Sequence, residues 1–245
     1  MSRTPGCAVV TGAAGGVGSA VVQALLQDGW SVVGVDQCEL HVSLATAERL
    51  SWVVGDVRDD ATVAETLATA GEGGVSGLVT ATIADDRDPL EELDRHRIAA
   101  VLDATVTTAW AWSTAVALAA PEGEASIVHV SSVHAVGAAA SMAPYAMSKA
   151  ALGALARASA LEWGPRGIRC NVVMPGFVPV ERNQHRWSDP EETAALSDKH
   201  PLRRLVMPED VANAVAFLLG VKSQGITGAV LPVDGGMLAA LPTWA

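Results

Sequence analysis

The chain has 245 residues, half of them hydrophobic and 18% charged, with a formal net charge of −11. That length suits one α/β domain with a full core, and the composition argues against disorder. The negative balance argues against a broad nucleic-acid surface, which needs clustered Lys and Arg. Residues 1–12 show no basic stretch followed by a long apolar core, so no secretory leader is expected. No apolar run is long enough to span a bilayer. Cys7, Cys38 and Cys170 are isolated and odd in number, with neither metal-ligand spacing nor a disulfide framework. Reduced thiols, a cytoplasmic location and no bound metal are the expectation.

The first predicted strand, 7–11, runs into the glycine-rich stretch TGAAGGVG (11–18), which opens a predicted helix over 17–28. Glycines at 12, 16 and 18 permit a tight turn and a close approach of backbone to a pyrophosphate, and a helix N-terminus adds free N–H groups and partial positive charge. A second strand, 31–35, is followed by Asp36, 18 residues after Gly18. An acid there accepts hydrogen bonds from adenosine ribose hydroxyls and repels a 2′-phosphate. No arginine lies in the glycine loop or directly after Asp36, so NAD is expected over NADP.

Further strands are predicted at 52–55, 77–81, 126–130, 168–173 and 229–233, separated by helices at 60–70, 91–119, 143–163 and 208–219. Strands apolar on both faces, alternating with helices, imply a parallel sheet covered on both sides, the doubly wound Rossmann-type fold. One domain over 1–245 is expected. The polar, proline-bearing segment at about 177–206 is too long for an ordinary connection and reads as a substrate loop or lid.

In their order and spacing these segments resemble the short-chain dehydrogenase/reductase family along essentially the whole chain. TGAAGGVG is similar to the family's TGxxxGxG, and YAMSK (145–149) to its YxxxK. GDVRD (55–59), HVSSVHA (129–135), NVVMPGFV (171–178), MPEDVANAVAFLLG (207–220) and ITGAVLPVDGG (226–236) resemble its other landmarks. The resemblance implies a cofactor site lined by Val17, Asp56, Val57, Thr80, Ala81, Pro175, Gly176 and Val178 beside the glycines and Asp36. It also implies Ser132 as the catalytic serine, a role for Lys149 on the nicotinamide ribose, and a homotetramer or dimer formed through the helices at 91–119 and 143–163.

The chemistry of the trio can be argued from the residues. Tyr145 is the chain's only tyrosine, and Lys149 is one of three lysines. Four residues apart on a helix, they share one face. A nearby ammonium is expected to lower the phenol pKa from about 10, so that the tyrosine can exchange a proton with an alcohol or carbonyl oxygen. Ser132, at a strand end, can donate a hydrogen bond to the same oxygen. The expected reaction is hydride exchange between NAD and a small secondary alcohol or its ketone. A non-catalytic cofactor-binding subunit, and an epimerisation or dehydration on the same scaffold, remain as alternatives.

The chain departs from the family pattern at three places. VTAT (79–82) stands where NNAG is usual, Thr105 replaces an asparagine of the proton relay, and Val180 replaces a threonine that bonds the cofactor carboxamide. An altered but working relay through Thr105 is expected. In the variable loop, Arg182, His185, Arg186 and Trp187 are candidates to meet a polar or anionic substrate, and His134 is a further candidate to line the pocket.

Overall fold

A computed structural model describes residues 6–39, 47–120 and 125–240. It contains seven parallel strands: β1 (Cys7–Thr11), β2 (Ser31–Asp36), β3 (Leu50–Val54), β4 (Val75–Thr80), β5 (Ser126–Val130), β6 (Arg169–Pro175) and β7 (Val230–Val233). They lie in the order β3-β2-β1-β4-β5-β6-β7. All seven expected strands are present, with ends shifted by a few residues.

The strand sequences explain the layering. Successive residues point to opposite faces, and in β1 both faces are apolar. Ala8 and Val10 join one core, packed under α1 (Gly16–Gln27) and α7 (Pro208–Leu219). Val9 joins the other, against α2 (Asp60–Thr69), α4 (Thr108–Ala119) and α5 (Ala143–Trp163). Strand order reverses direction between β1 and β4, which opens a crevice beyond their C-terminal ends.

One expectation needs correction. The segment 91–119 is not a continuous helix. Pro89 and extended Leu93 precede a start at α3 (Arg95–Leu102), where the Asp94 carboxylate caps the Arg97 N–H at 2.9 Å. A π-helical turn, Asp103–Thr107, then separates α3 from α4. Thr105, Val106, Thr107 and Thr108 form a β-branched run that crowds a regular helix. The Thr108 hydroxyl donates to the Asp103 carbonyl five residues back, at 2.9 Å. Residues 177–206 contain a short 3₁₀ stretch, Glu181–Arg186, and α6 (Pro190–Ser197), capped by Asp189 through the N–H groups of Glu191 and Glu192.

Candidate active site

The glycine loop fits a phosphate-bearing ligand. Gly12 has φ +69°, and a Cβ there would lie 2.8 Å from the Ala81 carbonyl oxygen. A Cβ on Gly18 would lie 2.0 Å from the Gly12 carbonyl oxygen, so neither position tolerates a side chain without moving backbone. Gly15 caps α1 without a side-chain bond, and no acid occupies the first turn. The N–H groups of Gly16, Val17 and Gly18 therefore face outward from a positive helix end. The Val180 side chain packs over Gly16, its Cγ1 2.5 Å from where a Cβ would stand.

Asp36 ends β2 and ties it to the loop. One carboxylate oxygen accepts from Ala14 N–H at 3.0 Å, the other from Cys38 N–H at 3.2 Å. Asp56 is held by Arg58, whose guanidinium and N–H both donate to it, and the pair keeps the Asp56 carboxyl down at about 2. The Val57 carbonyl accepts from Trp112 Nε1 at 2.7 Å. Ala81 donates its N–H to Thr11 and so lies beside the glycine turn. Pro175 ends β6, the Gly176 N–H donates to Val233, and Val178 is buried, its carbonyl accepting from Asn183.

The Thr80 side chain is committed inside the core. Strand alternation turns it to the face under α4 and α5, away from the glycine loop. There its hydroxyl meets His129 Nδ1 at 2.8 Å, and His129 Nε2 meets Cys170 Sγ at 3.4 Å. Burial first, and then the Lys149 charge, push His129 down to about 4. Burial pushes the Cys170 thiol up to about 12. This polar row across β4, β5 and β6 is a neutral part of the core.

Ser132, Tyr145 and Lys149 come together at the C-terminal end of β5. Ser132 is extended directly after the strand and buried, and its Oγ accepts from His134 N–H at 3.3 Å. Lys149 is buried too; its Nζ donates to the carbonyls of Val130 at 3.0 Å and Thr82 at 3.3 Å. Ser131 Oγ donates to the Lys149 carbonyl at 2.7 Å, which pins α5 to the strand end. Burial lowers Lys149 to about 8.

The expected fall in the tyrosine pKa is not found. Lys149 Nζ stands 5.8 Å from the Tyr145 ring centroid and is turned to carbonyls. Burial dominates and raises the phenol above its ordinary 10, while the facing Ser132 hydroxyl pulls it back. Thr105 is buried and its Oγ1 has no protein partner, an orphaned hydroxyl at the π-helical turn. Such turns recur at functional sites, and a buried hydroxyl without a partner is costly.

His134 packs edge-on to Tyr145, centroids 5.8 Å apart. Burial lowers its pKa, with Arg87 and Arg186 adding to the effect. Of the loop candidates, Arg182 reaches Asp85 at 3.1 Å, and Arg186 lies 5.2 Å over the Phe177 ring. Trp187 spends its N–H inside the loop, on the Val180 carbonyl and on Asn183 Oδ1. His185 is exposed. Asp85 and Arg87 escaped the sequence reading, because DDRD (85–88) looks like any solvated charged turn. Among the described residues, no group of three or more His, Cys, Asp or Glu could hold a metal, and no helix is long and apolar enough to cross a membrane.

A glycine-lined crevice beside a serine, tyrosine and lysine is the layout of a dehydrogenase scaffold, and comparison with known proteins gives the family. Residues 12–238 match the family model described as enoyl-(acyl carrier protein) reductase. The chain is 35% identical to cis-4-hydroxycyclohexanecarboxylate dehydrogenase of Sinomonas cyclohexanicum, covering 95% of this chain and 96% of that protein. It is 33% identical to L-xylulose reductase of Bos taurus, with the same coverage of each. The crystal structure of an oxidoreductase of the short-chain dehydrogenase/reductase family from Burkholderia thailandensis superposes with TM-score 0.87 at 34% identity, covering 97% of this chain and 94% of that one. The chain belongs to the short-chain dehydrogenase/reductase family of oxidoreductases, whose members use NAD or NADP.

Proposed function

We infer that the protein interconverts a secondary alcohol and its ketone with NAD, using Tyr145 as general acid and base. The observation that carries this is the shared site of Ser132, Tyr145 and buried Lys149 at the end of β5, beside the β1–β4 crevice. One relative is named as the dehydrogenase of a hydroxycyclohexanecarboxylate and another as the reductase of the ketose L-xylulose, the two directions of one alcohol–ketone exchange, which supports the reaction class.

The cofactor fits the residues. The N–H groups of Gly16, Val17 and Gly18 would hold its pyrophosphate, and Asp36 its adenosine ribose. Ala81, after β4, and the Pro175–Val178 turn, after β6, lie across β1 from Asp36 and would meet the nicotinamide half. When bound, the nicotinamide takes or returns the hydride. The preference for NAD rests on Asp36, and on residues 37–48, which contain no Lys or Arg to receive a 2′-phosphate.

In the oxidative direction, Ser132 donates a hydrogen bond to the substrate oxygen and Tyr145 takes its proton. Lys149, its Nζ held on the Val130 and Thr82 carbonyls, fixes the helix that carries Tyr145 and would meet the nicotinamide ribose. Thr105, with its orphaned hydroxyl, is suited to hold a water in a path that returns the proton to solvent. Residues 177–206 serve as the substrate loop. Leu118, Leu161, Trp110 and Met147 are exposed on α4 and α5 and support a homo-oligomer built through those helices.

The test is absorbance of the reduced nicotinamide with purified protein, NAD and a panel of secondary alcohols, starting with 4-hydroxycyclohexanecarboxylate and polyols. Steady NADH formation is expected. Product without net NADH would replace this reading with an internal redox route, and cofactor binding without turnover across the panel would replace it with a binding subunit.

A further inference from the structure

Two loops far apart in the chain meet over the mouth of the site. Asp85, on the loop after β4, receives Arg87 at 2.8 Å and Arg182 of the substrate loop at 3.1 Å. The carboxylate side chain is 21% exposed, while Arg87 and Arg182 are 50% and 47% exposed, so the acid is sunk between two cations that reach outward. All three lie close enough for their charges to act on the Tyr145 phenol. Arg186, over Phe177, extends the same positive rim towards His134.

The neighbouring acids are already committed. Asp86 and Asp88 both pair with Arg97 at the start of α3. No carboxylate among the described residues pairs with Arg186. The rim thus gathers two guanidiniums on one carboxylate, with a third over Phe177, in a protein whose formal net charge is −11. Planar guanidinium forks match carboxylates in two-point hydrogen bonding. Asp85 shows that a carboxylate fits between Arg87 and Arg182.

We propose that the mouth selects substrates bearing a carboxylate, which takes the place of Asp85 between Arg87 and Arg182. This rests on the reading of Ser132, Tyr145 and Lys149 as the carbinol-oxidising site, and adds which alcohols reach it. Asp85 is an internal stand-in that holds the two loops together until the substrate arrives. Exposed ion pairs contribute little stability, so the exchange is easily made. The substrate's carboxylate then anchors one end of the molecule while its carbinol lies at Tyr145.

The probes are 4-hydroxycyclohexanecarboxylate and the uncharged 4-hydroxycyclohexanecarboxamide. Wild-type kcat/KM should favour the carboxylate by about 10–100-fold, the range of a charge-assisted hydrogen bond. Arg182→Gln should cost the carboxylate at least about tenfold more than the carboxamide, mainly in KM, with Arg182→Lys in between. Asp85→Asn, which removes the internal competitor, should lower KM for the carboxylate. Equal losses for both probes in Arg182→Gln, or a wild type indifferent to the charge, would overturn the proposal. Calorimetric binding of both probes to the NADH complex of Tyr145→Phe separates the two readings. Charge-selective binding without wild-type turnover sinks only the reaction; turnover blind to charge sinks only the carboxylate pocket.

Discussion

The reacting trio and the mouth above it are built on different terms. Ser132 and Lys149 are buried and fixed to the ends of β4 and β5 by backbone carbonyls and by the Ser131 bond to α5. Arg87 and Arg182 are half-exposed side chains on two loops, paired with Asp85, which is sunk between them. A group that must move a proton gains from a position held by packing. A group that must accept varied ligands gains from pairs that separate easily. On the proposed reading, chemistry is vested in the frame and selectivity in the mouth.

The largest expected effect tests the frame. Tyr145→Phe removes the only phenol and should lower kcat by about 10³-fold or more, at the strong end of general acid–base catalysis, with NADH binding retained by fluorescence titration. Turnover near the wild-type rate would end the division drawn above. Because burial holds the phenol above 10, wild-type oxidation should also accelerate as pH rises through the alkaline range, whereas reduction should not.

The polar row under the trio gives the next effect. His129 is held at about 4 against an ordinary 6.5, so between these values the unfolded chain binds more protons than the folded one. Stability attributable to His129 should then rise with pH from 4 to 6.5, by about 3 kcal/mol in all. Urea unfolding of His129→Gln should lose this slope, close to one proton per molecule. An unchanged slope would show that His129 accepts a proton within the fold and that the frame is softer than its burial implies.

At the cofactor end, Asp36→Ala should shift the NADP-to-NAD ratio of kcat/KM upward by about 10–100-fold, the scale of a charged hydrogen bond. No shift would leave the preference to the loop beyond. The smallest effect is at the relay. Thr105→Asn supplies longer reach at the π-helical turn and should change the rate a few-fold, with a shifted pH profile. If both stay as in the wild type, Thr105 is a packing residue of the frame.

Much of the frame was legible in the sequence. Seven β-branched runs became seven strands because parallel strands, apolar on both faces, leave a plain signal. Tyr145 and Lys149 could be paired because helix spacing decides it. The Thr80 side chain follows from strand parity: Val79 faces α1 and α7, so its neighbour faces the other way and meets His129. The tyrosine pKa was misjudged because the i, i+4 rule gives a shared face but not the direction of Nζ or the degree of burial. The mouth was least legible. Asp85 and Arg182 are 97 positions apart, and each alone is an ordinary surface charge.

The π-helical turn at Asp103–Thr107 has a geometric consequence for the whole segment around it. Each residue of a regular helix advances the facing side by about 100°, so one additional residue in a turn resets the phase of all that follows. α3 packs on α5, while α4 packs on β4 and α2 and more lightly on α5. The wide turn sets the phase between them. Removing one residue there would swing Arg95–Leu102 by about a quarter turn relative to α4 and uncouple it from α5. The insertion acts as a gear change between two packing surfaces, and Thr105 sits at the tooth where they engage.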